Sequence, residues 1–390
     1  MATKIRSTSS QRVSDIAPSG IRKFFDLIAG LDGVISLGVG EPDYASPWHV
    51  REAAIHSLEN GQTMYTSNSG MPELRAELAR YLKTTYGLSY DPNTELLITV
   101  GVSEALDLTA RAIIDNGDEV IMPDPHYVAY DACVILSGGK AVLVPTFEKN
   151  NFELTAQDVE ARVTEKTKAI LLGYPSNPTG AVMSRERLSQ IAEVARRHHL
   201  LVISDEIYAR LVYGVEHTCF AALPGMKETT ILLGGFSKAY AMTGWRVGYI
   251  AASKEVIAAT TKIHQYTIMS APTMGQVAAI EALKSGEPDI AEMLAEYNRR
   301  RVFIVNGLNE IGLPCFEPKG AFYAFPSIKS TGMTSEQFSE TLLTEEKVVV
   351  VHGNAFGTCG EGYVRCCYAT SMEELEEALT RMKRFLGRHR

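Results

Sequence analysis

Short apolar runs and amphipathic stretches alternate through the first two-thirds of the chain. Residues 95–100 (ELLITV), 119–122, 140–144, 169–173 (AILLG), 200–204 (LLVIS) and 230–234 (TILLG) are apolar on both faces and read as strands. Residues 103–116 place Leu106, Thr109, Ala110 and Ile113 on one helical face. Residues 184–199 do the same with Leu188, Ile191, Ala192 and Ala195, and Ser184 stands where an N-cap belongs. Strands without a polar face, separated by helices, predict an α/β fold with a mostly parallel sheet covered on both sides. The last third differs. Residues 289–311 form one long amphipathic stretch (Ile290, Leu294, Tyr297, Ile304, Leu308, Ile311), followed by short strands at 321–325, 348–351 and 363–368 and a helix at 372–386. This predicts a second, smaller α/β domain, with the N-terminal arm returning to pack on it. The expected division is 1–45 (arm and part of the small domain), 46–280 (large domain) and 281–390 (small domain). Hinges are expected at 35–42 and 267–286.

Composition narrows the functional classes. The 390 residues suit two domains of ordinary size, and 45% apolar with 22% charged residues is unlike a disordered chain. The charge sum is 38 − 46 = −8, with no Lys/Arg block, which disfavours nucleic-acid binding because phosphate neutralisation carries most of that affinity. No apolar run reaches the roughly 18–20 residues of a membrane helix. MATKIRSTSSQRVSD lacks the apolar centre of a secretory signal, so a polar arm and a cytoplasmic enzyme are expected. The six cysteines, at 133, 219, 315, 359, 366 and 367, show no C-x-x-C spacing and read as reduced structural residues, with Cys366 and Cys367 pointing to opposite sides of a strand. Arg299, Arg300 and Arg301 read as a solvated helix face.

In an open parallel sheet, ligands sit just past the carboxyl ends of the strands. After 95–100 come Gly101, Val102 and Ser103, opening a helix. After 119–122 come His126 and Tyr127. After 169–173 comes Tyr174-Pro175-Ser176-Asn177-Pro178-Thr179-Gly180. After 200–204 come Asp205, Glu206 and Tyr208, and after 230–234 come Ser237 and Lys238. Singly, each reads as a helix start, a turn, a cap or a solvated amine. Jointly they predict a site that gathers an anion nest, an aromatic ring, an amide, a carboxylate, a phenol and an amine. Ser237-Lys238-Ala239 is not a nucleotide phosphate loop, which needs Ser or Thr after the Lys. Leu37-Gly38-Val39-Gly40 lacks the third glycine and the helix of a dinucleotide fingerprint.

These segments, together with Lys238 and Arg246 eight residues on, and with Tyr363-Val364-Arg365-Cys366-Cys367-Tyr368, resemble the class I/II pyridoxal 5'-phosphate-dependent aminotransferases of fold type I. Ser36-Leu37-Gly38-Val39-Gly40-Glu41-Pro42-Asp43 and the KGAFYAFP stretch around Phe322 fit as well. The likeness runs from about Val13 to the last helix and is nearest in flavour to bacterial and archaeal aromatic, aspartate-type and N-acetyl-diaminopimelate aminotransferases. It implies a seven-stranded, mostly parallel sheet in the large domain. It implies Lys238 as the amine that forms a Schiff base with the cofactor and then moves the substrate proton. That role needs a neutral amine, with a pKa below the ~10.4 of a free lysine, and burial and Arg246 both act in that direction. The resemblance gives Asp205 the pyridine nitrogen. It gives Tyr208 and Asn177 the ring phenolate oxygen, and Tyr127 the ring face. It gives the phosphate to the Val102 N–H, Ser103, Ser237 and Arg246. Lys238, Asp205 and Tyr208 form the implied catalytic set. Arg365 is implied as the bidentate binder of the substrate carboxylate, helped by Asn177 and the backbone of Gly38 and Val39. A homodimer is also implied, with Tyr65 of a second copy reaching the phosphate.

Substrate choice is less direct. Thermophilic aspartate-type members carry Lys in the segment where this chain has Ser103, which lowers the expectation of strict aspartate specificity. Ile16 and Ile21 in the arm either favour aromatic or aliphatic side chains through buried area, or simply pack the arm. The expected reaction is amino transfer from an L-amino acid, aromatic or broad in range, to a 2-oxo acid such as 2-oxoglutarate. Aspartate-type or N-acetyl-diaminopimelate transfer and carbon–sulfur β-elimination use the same Lys, Asp and Arg. A non-enzymatic regulator would retain no reason for that set. His126 and His264 read as satisfied polar contacts, and His352 carries no functional reading.

Overall fold

The computed structural model describes residues 9–16 and 33–389. Its strands are β1 (Ile35–Ser36), β2 (Leu96–Thr99), β3 (Glu119–Asp124), β4 (Lys140–Pro145), β5 (Thr167–Gly173), β6 (Leu201–Asp205), β7 (Thr230–Gly235), β8 (Gly248–Ala251), β9 (Tyr323–Ala324), β10 (Val348–Val349), β11 (Val351–His352) and β12 (Val364–Cys367). Seven of them form one sheet in the order β2-β8-β7-β6-β5-β3-β4. The strands from β7 to β4 pair in parallel, and β8 is antiparallel to both β7 and β2. β2, β3 and β8 are buried at every residue, as strands with helices on both faces must be. The apolar pattern marks six of the seven. It passes over β8, whose four residues, Gly-Tyr-Ile-Ala, are too short and too small to stand out as a run.

The helices follow their spacing. In Arg185–Arg197 the buried side chains include Leu188, Ile191, Ala192 and Ala195, and Ser184 Oγ accepts the Arg187 N–H at 3.2 Å. The helix after β2 spans Gly101–Ile113, so its first turn begins two residues before the patterned stretch. Gly101, Val102 and Ser103 thus form the helix's first turn, as residues opening a helix after a strand are expected to.

The smaller part is built from β11-β12-β9, all antiparallel, and from β1 paired in parallel with β10. Leu37 N–H donates to Val349 O at 2.9 Å and Leu37 O accepts from Cys367 N–H at 2.7 Å, so the chain at 35–37 is threaded between β10 and β12. Three helices close the core behind it: Glu287–Glu310 supplies Tyr297, Ile304 and Leu308, Ser335–Glu346 supplies Phe338 and Leu342, and Met372–His389 supplies Leu375, Met382 and Phe385. Leu308 and Phe385 are wholly buried, and each such side chain contributes about 1.5–3 kcal/mol. Between residues 267 and 286 a short non-helical link at 268–272 is followed by the helix Thr273–Ser285, and the long helix starts at Glu287.

Two expectations change. The described piece of the arm leans on the large sheet's helix Ala129–Leu136, where Arg12 Nη1 donates to Leu136 O at 3.3 Å, while residues 35–37 join the smaller strands. Of the three arginines at 299–301, Arg299 is exposed but Arg300 and Arg301 are 7% exposed. Arg300 pairs with Asp43 at 2.8 Å, and Arg301 pairs with Glu317 at 2.9 Å and lies over the Tyr213 ring. Helical spacing cannot distinguish a solvated arginine from one tucked beneath a neighbouring loop. Cys366 and Cys367 are both buried, because both faces of β12 are covered. The six cysteines are free thiols. Among the described residues no helix is long and apolar enough to cross a membrane.

Candidate active site

The carboxyl ends of β2, β3, β5, β6 and β7 open on one cavity of about 780 Å³. Val102 and Ser103, Tyr127, Asn177, Asp205 with Tyr208, and Ser237 with Lys238 line it from those strand ends. Gly38, Val39, Tyr323 and Arg365 line it from the smaller part. The reversed strand explains how Arg246 joins them. Gly248, the first residue of β8, pairs with Thr99 and Gly235, the last paired residues of β2 and β7. Arg246, just before it, is therefore delivered to the same edge of the sheet.

The anion nest is tightly made. The first-turn N–H groups of the Gly101–Ile113 helix have no intrahelical acceptor and carry the positive end of the helix dipole. Gly101 has φ +72°, and a Cβ there would stand 2.6 Å from Arg246 Nη2, so glycine is what lets the guanidinium approach the helix start. Arg246 Nη1 donates to Thr243 O at 2.8 Å, which fixes the guanidinium. Glu104 braces the turn from beneath. One of its oxygens accepts the Val100 N–H at 2.5 Å, and the other meets His264 Nδ1 at 2.7 Å. His264 is thus a buried structural contact, as is His126, whose Nε2 lies 3.7 Å from Asp131. Neither lines the cavity.

Asp205 ends β6 and is buried. Its carboxylate accepts the Tyr130 hydroxyl at 2.9 Å and the Ile207 N–H at 3.2 Å. Burial outweighs these bonds and pushes its pKa up to about 6. Lys238 follows β7, and its Nζ donates to Gly40 O at 2.5 Å. Burial pushes the Lys238 amine down to about 8; Cys367 and Glu41 oppose the shift, and Arg365 and Arg246 add to it. Tyr127 stands edge-on to Tyr130, with ring centres 5.6 Å apart. The Tyr208 hydroxyl lies 2.6 Å from the Tyr323 hydroxyl.

Arg365 is held from two sides. Its Nη1 donates to Asn177 Oδ1 at 2.8 Å and its Nη2 to Gly38 O at 2.6 Å. The guanidinium lies 4.4 Å over the Tyr323 ring and 5.0 Å over Phe356. Arg365 Nε is buried and has no hydrogen-bond partner among the described residues.

Tyr65 is 80% exposed and outside the cavity of its own chain, and Ile21 lies outside the described residues. Ile16 is half-buried and does not line the cavity. Sequence reasoning missed Tyr130 and Tyr323. Tyr130 comes three residues after Tyr127, in the first turn of the Ala129–Leu136 helix, and their rings meet edge to face. Tyr323 lies in the KGAFYAFP stretch, where strand alternation separates it from Phe322 but does not say which ring faces the site.

Chemically, the nest with Arg246 suits a phosphate, Asp205 a cationic ring nitrogen, Arg365 a carboxylate, and Lys238 the role of an amine that gives up its proton more readily than a free lysine.

The family model for aminotransferase class I and II matches residues 32–382. The chain belongs to that family and is an aminotransferase. A Bacillus subtilis (strain 168) chain, provisionally named as an aminotransferase, is 60% identical over 377 residues, covering 97% of this chain and 98% of the relative. The aspartate aminotransferase of Pyrococcus abyssi (strain GE5 / Orsay) is 47% identical over 380 residues, with 97% and 98% covered. The crystal structure of an aromatic aminotransferase from Pyrococcus horikoshii OT3 superposes with a TM-score of 0.90 at 44% identity, covering 94% of this chain and 99% of that one. The fold is that of the fold type I aminotransferases.

Proposed function

We propose that the cavity binds pyridoxal 5'-phosphate and that the protein transfers the amino group of an L-amino acid, aromatic or broad in range, to a 2-oxo acid such as 2-oxoglutarate. The observation that carries this reading is the convergence of Lys238, Asp205 and the Gly101–Arg246 nest on one cavity whose far wall is Arg365. The donor set matches the cofactor group by group. A phosphate fits the nest, Ser103, Ser237 and Arg246. The pyridine nitrogen fits Asp205. The ring oxygen fits Tyr208 and Asn177, and Tyr127 covers the ring face.

When bound, the cofactor supplies an electron-withdrawing ring that makes the α-proton of the substrate removable. The chain does the rest. Arg365, steadied by Asn177 and Gly38, seats the α-carboxylate. Asp205 holds a proton on the ring nitrogen, and Tyr130 and the Ile207 N–H keep that carboxylate aimed. Lys238 Nζ takes the α-proton and returns it, and Gly40 O orients the amine meanwhile. Tyr65 from a second copy completes the phosphate site in a homodimer. The arm, large and small parts divide at 45 and 280, and the enzyme is cytoplasmic.

An aromatic or broad range is favoured over strict aspartate use because Ser103 supplies no cation for a distal carboxylate. Both activities occur in the names of the relatives, so they do not decide it. The test is a half-reaction without 2-oxo acid. Protein loaded with pyridoxal 5'-phosphate is mixed with phenylalanine, aspartate or alanine, and the visible absorbance is followed. The expected result is one bleaching turnover, fastest with phenylalanine. Continued release of pyruvate and ammonia from a cysteine-type substrate would instead establish β-elimination. If no visible band forms, and Lys238→Ala is indistinguishable from the parent, the cofactor reading fails.

A further inference from the structure

Tyr323 stands where the two chemical ends of the cavity meet. It faces Cys367 across the β9–β12 pair, and Arg365 lies two residues from Cys367 on the same strand. A period of two therefore puts Arg365 and Tyr323 on one face as diagonal neighbours. The guanidinium lies 4.4 Å over the Tyr323 ring. The other end of that ring carries the hydroxyl, 2.6 Å from the hydroxyl of Tyr208. Gly40 roofs the contact. A Cβ at this position would collide with the Tyr323 hydroxyl, and the Gly40 carbonyl accepts the Lys238 amine at 2.5 Å. One buried ring thus touches the carboxylate seat at one end and the phenol beside the reactive amine at the other.

We propose that Tyr323 is a positioning residue that transmits occupancy of the carboxylate seat at Arg365 to the Tyr208 hydroxyl, and through it to the ring oxygen of the bound cofactor. The inference rests on the reading that pyridoxal 5'-phosphate occupies the cavity and a substrate carboxylate sits on Arg365. A cation over a phenol ring favours loss of its proton, so free Arg365 makes Tyr323 the better donor of the pair. Tyr323 then donates to Tyr208 and leaves the Tyr208 proton directed at the cofactor. A carboxylate on Arg365 cancels that charge, weakens the donation, and makes Tyr208 a poorer donor to the cofactor. Burial holds both phenols well above their ordinary pKa, so both stay protonated and the relay works by hydrogen-bond strength. Arg365 acts on Tyr208 in the same direction but lies directly over the Tyr323 ring, and the other titratable groups facing the pair are Cys367, Lys238, whose Nζ is 5.9 Å from the centre of the Tyr208 ring, and, toward Tyr323, Tyr127.

The test is a pH titration of the visible absorbance of the loaded protein, with and without 3-phenylpropanoate, a carboxylate that has no amino group to transfer. In the parent, the ligand should raise the midpoint. Tyr323→Phe keeps the ring over Arg365 and removes the hydroxyl. It should raise the ligand-free midpoint by about half a pH unit, roughly threefold in the equilibrium, and shrink the ligand-induced shift to less than about half. The ligand's dissociation constant should change less than about twofold, because the seat itself is intact. Tyr208→Phe should show the same loss of shift, and Tyr208→Phe/Tyr323→Phe should add nothing to it. A full ligand-induced shift in either single variant would overturn the relay and leave Arg365 acting through Asn177, which it bonds directly at 2.8 Å. If the parent forms no visible band, the cofactor reading fails first and the inference falls with it.

Discussion

At Asp205, a buried carboxylate waits for a cation. Its pKa of about 6 lies above the ~3.9 of a free aspartate, so the folded cofactor-free protein holds a proton that the unfolded chain releases. The sign follows from proton linkage: this group's contribution to stability is fully present below about pH 4 and is lost as pH rises through about 6. Asp205→Asn should therefore leave the cofactor-free protein no more stable at pH 4 and more stable by about 3 kcal/mol above pH 6. Urea melts at both values check this. The same variant should bind pyridoxal 5'-phosphate more weakly, since the ring nitrogen loses its counter-charge. Lys238 has the opposite need. With its amine at about 8, capture of the cofactor by the cofactor-free protein should accelerate as pH rises through about 8 and level off above it. Stopped-flow absorbance across that range measures the midpoint. Arg365→Lys keeps the charge but loses the fork that reaches Asn177 and Gly38 together. We expect kcat/KM to fall by about 100-fold for every amino acid tested, with cofactor binding unchanged.

Among the elements, the Gly101–Ile113 helix and β8 make the proposed phosphate site between them. The helix supplies free N–H groups, and the antiparallel strand turns Arg246 back onto them. Gly101→Ala tests that arrangement. A methyl group at φ +72° costs roughly 1–3 kcal/mol, and here it would also press on Arg246 Nη2. The expected outcome is a lower urea midpoint together with a cofactor dissociation constant raised by about tenfold or more, read by absorbance titration. An equal loss of stability with unchanged cofactor affinity would mean that the nest does not hold the phosphate. The amphipathic stripe by itself begins two residues after the helix does, because Gly101 and Val102 add nothing to it. The nest itself was legible, since Gly-Val-Ser directly follows an apolar strand. β8 was not legible, and without it Arg246 had a role by resemblance but no route to the site.

For the whole molecule, Tyr65 tests whether the site is shared between copies. Tyr65 is 80% exposed and outside the cavity of its own chain, which leaves it accessible to a second copy in the proposed homodimer. Tyr65→Phe should leave the stability of the chain within about 0.5 kcal/mol, as surface substitutions do, yet weaken cofactor binding measurably. Mixing Tyr65→Phe with Lys238→Ala protein should produce hybrid dimers with one fully intact site. Activity recovered on mixing supports the shared site, and no recovery, with dimers verified by sedimentation, rules it out.

Much of this protein is written in local pattern. Apolar runs with helices between them specify a parallel sheet, because such strands must be covered on both faces. The polar residue after each strand specifies a site, because all those ends lie on one edge. Asp205, Lys238, Asn177, Tyr127 and Ser103 were found that way. The tertiary structure decided what depends on distance across the chain. It paired Tyr323 with Tyr208, 115 residues apart, and Tyr130 with Asp205, 75 residues apart. It brought Arg365 to Gly38, and buried Arg300 and Arg301 against Asp43 and Glu317. Periodicity says which face a side chain is on, whereas its partner, its burial and hence its proton affinity are set by segments that meet only when the chain has folded.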